Sequence, residues 1–108
     1  MEKENIMPIV LGAEDVGFVR KYISCYGSPA AVLDTKRSFR LFFEPRARFI
    51  KMTSDSDDIV FMYVSSLLEG TDRVPLLAAG NEKYKGFIER NKDRLATVCI
   101  LWHENFEF

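Results

Sequence analysis

The sequence predicts an α/β fold, a three-layer domain in which a five-stranded, mainly parallel sheet carries helices on both faces. Five apolar runs of four to six residues, most of them closed by glycine or polar residues, are typical of strands buried on both faces. Segments with helical apolar spacing alternate with these runs, which favours a parallel sheet with crossover connections. Because 108 residues leave room for one hydrophobic core, we expect a single domain over residues 1–108.

The first part of the chain supplies two strands and a helix. Met7–Leu11 is the first strand and ends at a glycine. From Glu14 onward, apolar residues recur every three or four positions, which predicts a helix that Gly27 ends in a left-handed cap. The residues of this apolar stripe are Val16, Val19, Tyr22, Ile23 and Tyr26. Ala30–Leu33 is the second strand, and the polar group Asp34–Lys36 closes it.

The middle of the chain is partly irregular. Residues 37–47 receive no assignment, because an arginine interrupts their apolar residues and a proline lies near their end. Phe49–Met52 is the third strand. Ser54 is the expected N-cap of the next helix, since acids fill the turn that follows it. Gly70 ends this helix, whose apolar face consists of Ile59, Val60, Tyr63, Val64, Leu67 and Leu68.

Two strands and one helix complete the sheet. Val74–Ala79 is the fourth strand, with Pro75 near its beginning, where proline is tolerated. A third helix is expected over Tyr84–Leu95, although Gly86 weakens it. Thr97–Trp102 is the fifth strand.

Composition and charge argue against several functional classes. Fifteen Lys and Arg residues balance sixteen Asp and Glu residues, and the net charge of −1 gives no overall field for nucleic acid or an anionic membrane. No apolar run approaches the ~20 residues that span a bilayer, so we expect no membrane span. The acidic start, Met1–Glu4, lacks the basic segment of a secretory signal, which favours the cytoplasm. Cys25 and Cys99 lack metal-site spacing and are expected to be buried, reduced thiols.

Any ligand of such a sheet is expected beyond the carboxyl ends of its strands. The turn Gly12–Gly17 lies where a dinucleotide fingerprint would be, but it lacks the middle glycine of that pattern. Glu14 and Asp15 also place carboxylates where a pyrophosphate would need the positive end of a helix. A dinucleotide is therefore disfavoured, and the sequence contains no phosphate-loop motif.

A receiver domain of the response-regulator kind is an alternative. The acids that would hold magnesium in it follow the first and third strands and are Glu14, Asp15, Asp55, Asp57 and Asp58. Receivers place Ser or Thr after strand four and Lys after strand five, where this chain has Ala79–Gly80 and His103–Glu104. A degenerate receiver, or another stand-alone binding module, stays open. His103 is the one histidine of the sequence, so a two-histidine metal site is not expected, and the sequence has no persuasive nucleophile elbow for a catalytic triad. We therefore expect no metal-binding and no catalytic residue in this chain.

Three segments together resemble a known family. They are Ile9–Ala13, the helix end Tyr26–Gly27, and the block Leu76–Leu95 with its turn Gly80–Tyr84. This arrangement resembles the N-terminal pre-ATP-grasp domain of bacterial ATP-grasp carboxylate-amine ligases, particularly the D-aspartate ligases that attach an amino acid to peptidoglycan precursors. The resemblance spans nearly the whole chain and implies a Rossmann-like fold. Asn81 and Glu82 stand about where the family tends to have Asp, which leaves the substrate open.

The resemblance implies a non-catalytic role for this chain. In the complete ligases ATP converts a carboxylate to an acyl phosphate that an amine attacks, and the N-terminal domain helps to wall the substrate cleft. The ATP-grasp domain, with its ATP and Mg²⁺, is expected beyond Phe108 and is the implied partner, so no cofactor is expected in this chain. Small residues with accessible backbone N–H groups at two strand ends would approach an anionic substrate. These implied substrate-binding residues are Gly12, Ala13, Gly80 and Asn81.

Without the ATP-grasp domain, an apolar patch would stay exposed and would favour a homo-oligomer. The residues expected to contribute to this patch are Phe39, Leu41, Phe42, Phe43, Trp102 and Phe106.

Overall fold

Five strands form one sheet in the computed structural model, which describes residues 5–27 and 29–103. The strands are β1 (Ile6–Leu11), β2 (Ala30–Asp34), β3 (Ala47–Lys51), β4 (Val74–Ala79) and β5 (Ile100–Leu101). The α-helices of the described ranges are α1 (Val16–Tyr26), α2 (Asp57–Leu68), α3 (Glu82–Arg90) and α4 (Lys92–Ala96). A 3-10 helix over Arg40–Phe43 lies between β2 and β3.

Neighbouring strands all pair in parallel, in the order β3-β2-β1-β4-β5. The predicted parallel α/β sheet is confirmed. From β1 the chain adds β2 and then β3 on one side, and it then returns to place β4 and β5 on the other side of β1. The strand order therefore reverses between β1 and β4. At such a switch point the connections leave towards opposite faces of the sheet, which opens a crevice at the carboxyl ends of the strands. Leu11 of β1 is level with Leu33 of β2 and with Ala79 of β4.

Helical layers cover both faces of the sheet. On one face α1 buries the five residues of its predicted stripe, and Leu41 of the 3-10 helix joins the same apolar cluster. On the opposite face α2, α3 and α4 contribute Val60, Phe87 and Leu95 to a second cluster. Burial of these side chains, at about 1.5–3 kcal/mol for each large aliphatic residue, holds the three layers together.

The end of the sheet differs from the prediction. The expected third helix is divided at Asn91, whose side-chain amide donates to the Phe87 carbonyl oxygen at 3.0 Å where α3 ends. The expected fifth strand is reduced to two residues. The N–H groups of Val98 and Cys99 bond to the Leu95 carbonyl oxygen and continue the turn that follows α4, so they do not reach β4.

Two smaller predictions need correction, and one unassigned segment receives a structure. Ser56 rather than Ser54 is the N-cap of α2, and the Ser54 hydroxyl accepts a hydrogen bond from the Ser56 N–H at 3.1 Å. Residues 37–47, which received no assignment, contain the 3-10 helix. Cys25 is exposed because it lies off the buried stripe of α1, whereas Cys99 is buried as expected. None of the helices in the described ranges is both long enough and apolar enough to cross a membrane.

Candidate functional site

The four small residues implied by the resemblance meet at the switch point between β1 and β4. A Cβ atom at Gly12 would lie 2.9 Å from the side-chain nitrogen of Asn81. A Cβ atom at Gly80 would lie 3.1 Å from the Gly12 carbonyl oxygen. Ala13 follows Gly12 directly and is fully buried. Glycine is therefore favoured at Gly12 by its φ of +110° and by the close Asn81 side chain, and at Gly80 by the close backbone of the β1 end.

The backbone N–H groups of this cluster are used within the fold. Gly12 donates to the Leu33 carbonyl oxygen and Gly80 to the Leu11 carbonyl oxygen, both at 2.7 Å. Ala13 donates to a carboxylate oxygen of Asp34 at 2.8 Å. The N–H groups of these three residues therefore have acceptors within the fold, and the substrate-binding role of Gly12, Ala13, Gly80 and Asn81 stays a prediction. The parallel hydrogen-bond ladder continues one residue past the strands and takes up the Gly12 and Gly80 donors, whereas a side-chain carboxylate takes up that of Ala13.

Asp34, at the carboxyl end of β2, is a buried acid whose role the sequence did not reveal. Its carboxylate accepts hydrogen bonds from the N–H groups of Ala13 and Thr35 and, at 3.2 Å, from the hydroxyl of Tyr84. We call Asp34 and these three donors the Asp34 network. Burial and the nearby Asp34 charge raise the pKa of Tyr84, so its hydroxyl stays a donor. In dinucleotide-binding sheets an acid about 20 residues after the glycine turn contacts a ribose, whereas Asp34 is 4% exposed and bonded internally.

A groove of about 790 Å³ opens beside the switch point, along α1 and past the ends of β4 and β5. Gly80 lines it, and so do residues of α1, of α3 and of the segment after β5. The residues of its wall are Asp15, Phe18, Lys21, Tyr22, Cys25, Tyr26, Ala79, Gly80, Lys85, Ile88, Glu89, Trp102 and His103. Its size is that of a typical small-molecule site.

Four aromatic side chains form one wall of the groove. Trp102 packs edge-on against Phe18 and Tyr22, with ring centroids 5.4 and 6.1 Å apart. Its indole N–H donates to the Tyr26 hydroxyl at 2.9 Å, and the Tyr22 hydroxyl donates to the Leu76 carbonyl oxygen at 2.7 Å. Burial raises the pKa of Tyr22. The wall is therefore apolar, with its polar atoms already hydrogen-bonded.

Charged side chains of both signs surround this aromatic wall. Lys21 and Lys85 contribute ammonium groups, and Asp15 and Glu89 contribute carboxylates. Asp15 also accepts the Phe18 N–H at 3.0 Å as the N-cap of α1. Such an arrangement suits a small ligand that carries both a carboxylate and an ammonium group. The sequence contained a signal for the wall, since the aromatic residues of α1 recur every four positions and so share one side of the helix.

Two of the acids that suggested a receiver are paired with basic side chains of α3. Asp55 pairs with Lys83 at 3.2 Å, and Asp57 pairs with Arg90 at 2.9 Å. The hydrogen bonds from Arg90 lower the pKa of Asp57 to about 2. Residues 5–27 and 29–103 contain no group of three His, Cys, Asp or Glu side chains that could hold a metal ion. The strand order β3-β2-β1-β4-β5 also differs from the 2-1-3-4-5 order of receivers. The acids that follow β1 and β3 therefore no longer favour a receiver.

Comparison with known proteins gave no match among protein-family models, curated proteins or solved structures. The resemblance to the pre-ATP-grasp domain stays a prediction.

Proposed function

We propose that this chain is a non-catalytic substrate-cleft domain of an ATP-grasp carboxylate-amine ligase, similar to the N-terminal domain of D-aspartate ligases. The observation that carries the proposal is the groove at the switch point, with Gly80 in its wall and both ionic signs at its rim. A domain that walls an amino-acid cleft needs a rigid sheet end, a water-excluding surface and charged groups that orient the ligand. The groove supports the proposal with an apolar aromatic wall and with charged side chains of both signs beside the strand ends.

The ligand of the groove would be the amino-acid substrate of the ligase. Its carboxylate would meet Lys21 and Lys85, and its ammonium group would meet Asp15 and Glu89, all of which line the groove. The aromatic wall would exclude water on one side and so strengthen these ionic contacts. The groups of this chain bind and orient the amine substrate, and none of them takes part in covalent chemistry.

ATP and Mg²⁺ belong in the proposal to the ATP-grasp domain. The strand ends of this chain do not fit a triphosphate, because the N–H groups of Gly12, Ala13 and Gly80 already have acceptors. The N-terminus of α1 also carries Asp15, whose charge would repel a phosphate. ATP bound to the ATP-grasp domain would activate the carboxylate substrate.

Trp102 allows a direct test, since it is the one tryptophan of the chain and lies in the groove. Titration of the purified protein with D-aspartate should change its fluorescence in a saturable way. Lys21→Ala should weaken this response at least fivefold, whereas the matched variant Lys92→Ala, on α4, should leave it unchanged. No response to D-aspartate or to other amino acids, or an equal loss in both variants, would contradict an amino-acid site.

A second experiment tests the ligase assignment. The coding sequence downstream of codon 108 should continue into an ATP-grasp domain, and the 108-residue chain alone should release no phosphate from ATP with D-aspartate and Mg²⁺. Joining the two parts should produce phosphate release that depends on the amino acid. A reading frame of another class, or ligation by the chain alone, would contradict the assignment. If the chain binds an amino acid but the downstream reading frame does not encode an ATP-grasp domain, the alternative of a stand-alone binding module is favoured.

A further inference from the structure

Positive charge is concentrated in one short part of the chain. Residues 36–51 contain six basic residues and one acid, a net charge of +5, although the whole chain carries −1. The other 92 residues therefore carry −6. The overall charge conceals this asymmetry, which is why the composition gave no reason to expect an anionic partner. The six basic residues are Lys36, Arg37, Arg40, Arg46, Arg48 and Lys51.

Three phenylalanines lie exposed in the same segment. Phe39 is 79% exposed, Phe42 71% and Phe43 61%. The ring centroid of Phe43 lies 5.5 Å from that of Phe39 and 5.7 Å from that of Phe42. They are the part of the expected apolar patch that is confirmed. Leu41 is buried, Trp102 lines the groove, and Phe106 lies outside the described residues. Clustered exposed rings of this kind mark a surface that contacts something else.

The charges around these rings are almost entirely positive. The one acid of the segment, Glu44, is 6% exposed and lies beneath Arg46 and Arg20, at 2.9 and 3.5 Å. The Arg37 guanidinium lies over the Phe49 ring, 5.1 Å from its centroid. Arg40 lies between the exposed rings in the sequence and has no ion-pair partner within the described ranges. We call Arg37, Phe39, Arg40, Phe42 and Phe43 the basic aromatic face.

We propose that the basic aromatic face binds an anionic membrane surface. Charge complementarity favours this occupant, since lipid phosphates and carboxylates are attracted by the two arginines of the face, Arg37 and Arg40, which lie in a segment of net charge +5. Exposed rings beside basic side chains are the composition of segments that enter the interfacial layer of a bilayer, which accepts them without a preformed pocket. This inference is independent of the groove and of the ligase proposal.

Two other occupants fit the face less well. A second copy of the chain that used the same face would place Arg37 and Arg40 against their own copies, and this repulsion opposes a homo-oligomer in which the two patches meet. Single-stranded nucleic acid binds by stacking bases on flat ring faces. Here the rings pack edge to face, at 77° and 84°, so that part of this flat surface is already covered.

Sedimentation with lipid vesicles tests the proposal. The chain should bind vesicles of phosphatidylcholine and phosphatidylserine, should bind pure phosphatidylcholine much less, and should be released by salt. The double variant Phe39→Ser/Phe42→Ser should bind about tenfold more weakly for each ring removed. Met62→Ser is the matched control, because Met62 is a 53% exposed apolar side chain on α2, across the sheet from the face. It should bind as the wild type does.

The charge contribution has its own matched pair. Arg40→Gln should weaken vesicle binding about fivefold, and Lys92→Gln, which makes the same charge change on α4, should not. Circular dichroism checks that each variant is folded, and the Trp102 response to D-aspartate should be unchanged in all of them.

Three results would overturn the membrane proposal: no preference for phosphatidylserine, equal losses in the variants and their controls, or tighter ring-dependent binding to an oligonucleotide or an acidic protein. Failure here leaves the amino-acid titration unaffected, so the two proposals fail separately.

Discussion

Replacing Gly12 with alanine tests the close approach at the switch point. Gly12 has a φ of +110°, a conformation that costs an L-residue about 1–3 kcal/mol. The new Cβ would also lie 2.9 Å from the Asn81 side-chain nitrogen and 3.3 Å from the Tyr84 ring. Asn81 is the N-cap of α3 and accepts a hydrogen bond from the Tyr84 N–H. Moving its side chain would break this bond at a cost of about 1 kcal/mol. We expect Gly12→Ala to lower the free energy of unfolding by about 2–4 kcal/mol.

Two other glycines separate the contributions. Gly27 has a φ of +105° but nothing within 4 Å of its added Cβ, so Gly27→Ala measures the backbone strain alone. Gly17 lies inside α1, and its added Cβ would make an ordinary contact with Asp15 at 3.5 Å. Gly17→Ala should therefore stabilise the protein by about 0.5–1 kcal/mol.

Urea unfolding, followed by Trp102 fluorescence and far-ultraviolet circular dichroism, measures all three variants. The comparison is valid if the slope of free energy against urea is the same as in the wild type. A cost for Gly12→Ala no greater than that for Gly27→Ala would refute the reasoning. In that case the contact with Asn81 would not be what requires glycine at this strand end.

Three further predictions concern buried and titrating groups. Asp34→Ala leaves three donors without their acceptor and should lower the free energy of unfolding in urea by about 2–4 kcal/mol. Tyr84→Phe removes one of these hydrogen bonds and should lower it by about 1 kcal/mol. Equal losses in the two variants would contradict the Asp34 network. The pKa of Asp57 is lowered from 3.8 to about 2, so its stabilisation is present above about pH 4 and is lost as the pH falls towards 2. The melting temperature of the wild type should fall more steeply over that interval than that of Asp57→Asn, and parallel curves would contradict this. A thiol reagent should modify exposed Cys25 in the native protein. Cys99 is buried and its pKa is raised to about 11, so the reagent should modify it only on unfolding. Equal modification rates in the native protein would contradict this difference.

Local patterns predicted the architecture of this protein better than its boundaries. The stripe of α1 is buried as its spacing indicates, because the period of apolar residues fixes which side faces the sheet. Val98 and Cys99 have the composition of a strand, yet their N–H groups bond to Leu95. The start of α2 was also placed wrongly from local sequence. Its first residue, Asp57, bonds to Arg90, which is 33 residues away, and no local pattern encodes that contact.

The candidate site was predictable in its place but not in its chemistry. Parallel strands end at one edge of a sheet, so Gly12 and Gly80 had to lie near each other once β1 and β4 were neighbours. Whether the N–H groups of these glycines bond to a neighbouring strand depends on the register of the paired strands at their carboxyl ends. The inward position of Asp34 depended on Tyr84, which is 50 residues away in the chain. Spacing within one element carries no information on such contacts.

The Asp34 network also affects the order in which the chain assembles. It joins groups separated by 21 and by 50 residues, so it can be complete only after β1, β2 and α3 have all docked. Contacts of such long sequence separation form late in folding, since the intervening loops must close first. The Ala13 amide is fully buried and bonded to Asp34, so it should exchange its hydrogen with solvent only when this network opens. The Asp34 network would then be among the last parts of the molecule to form and, because unfolding retraces the same steps, among the first to be lost.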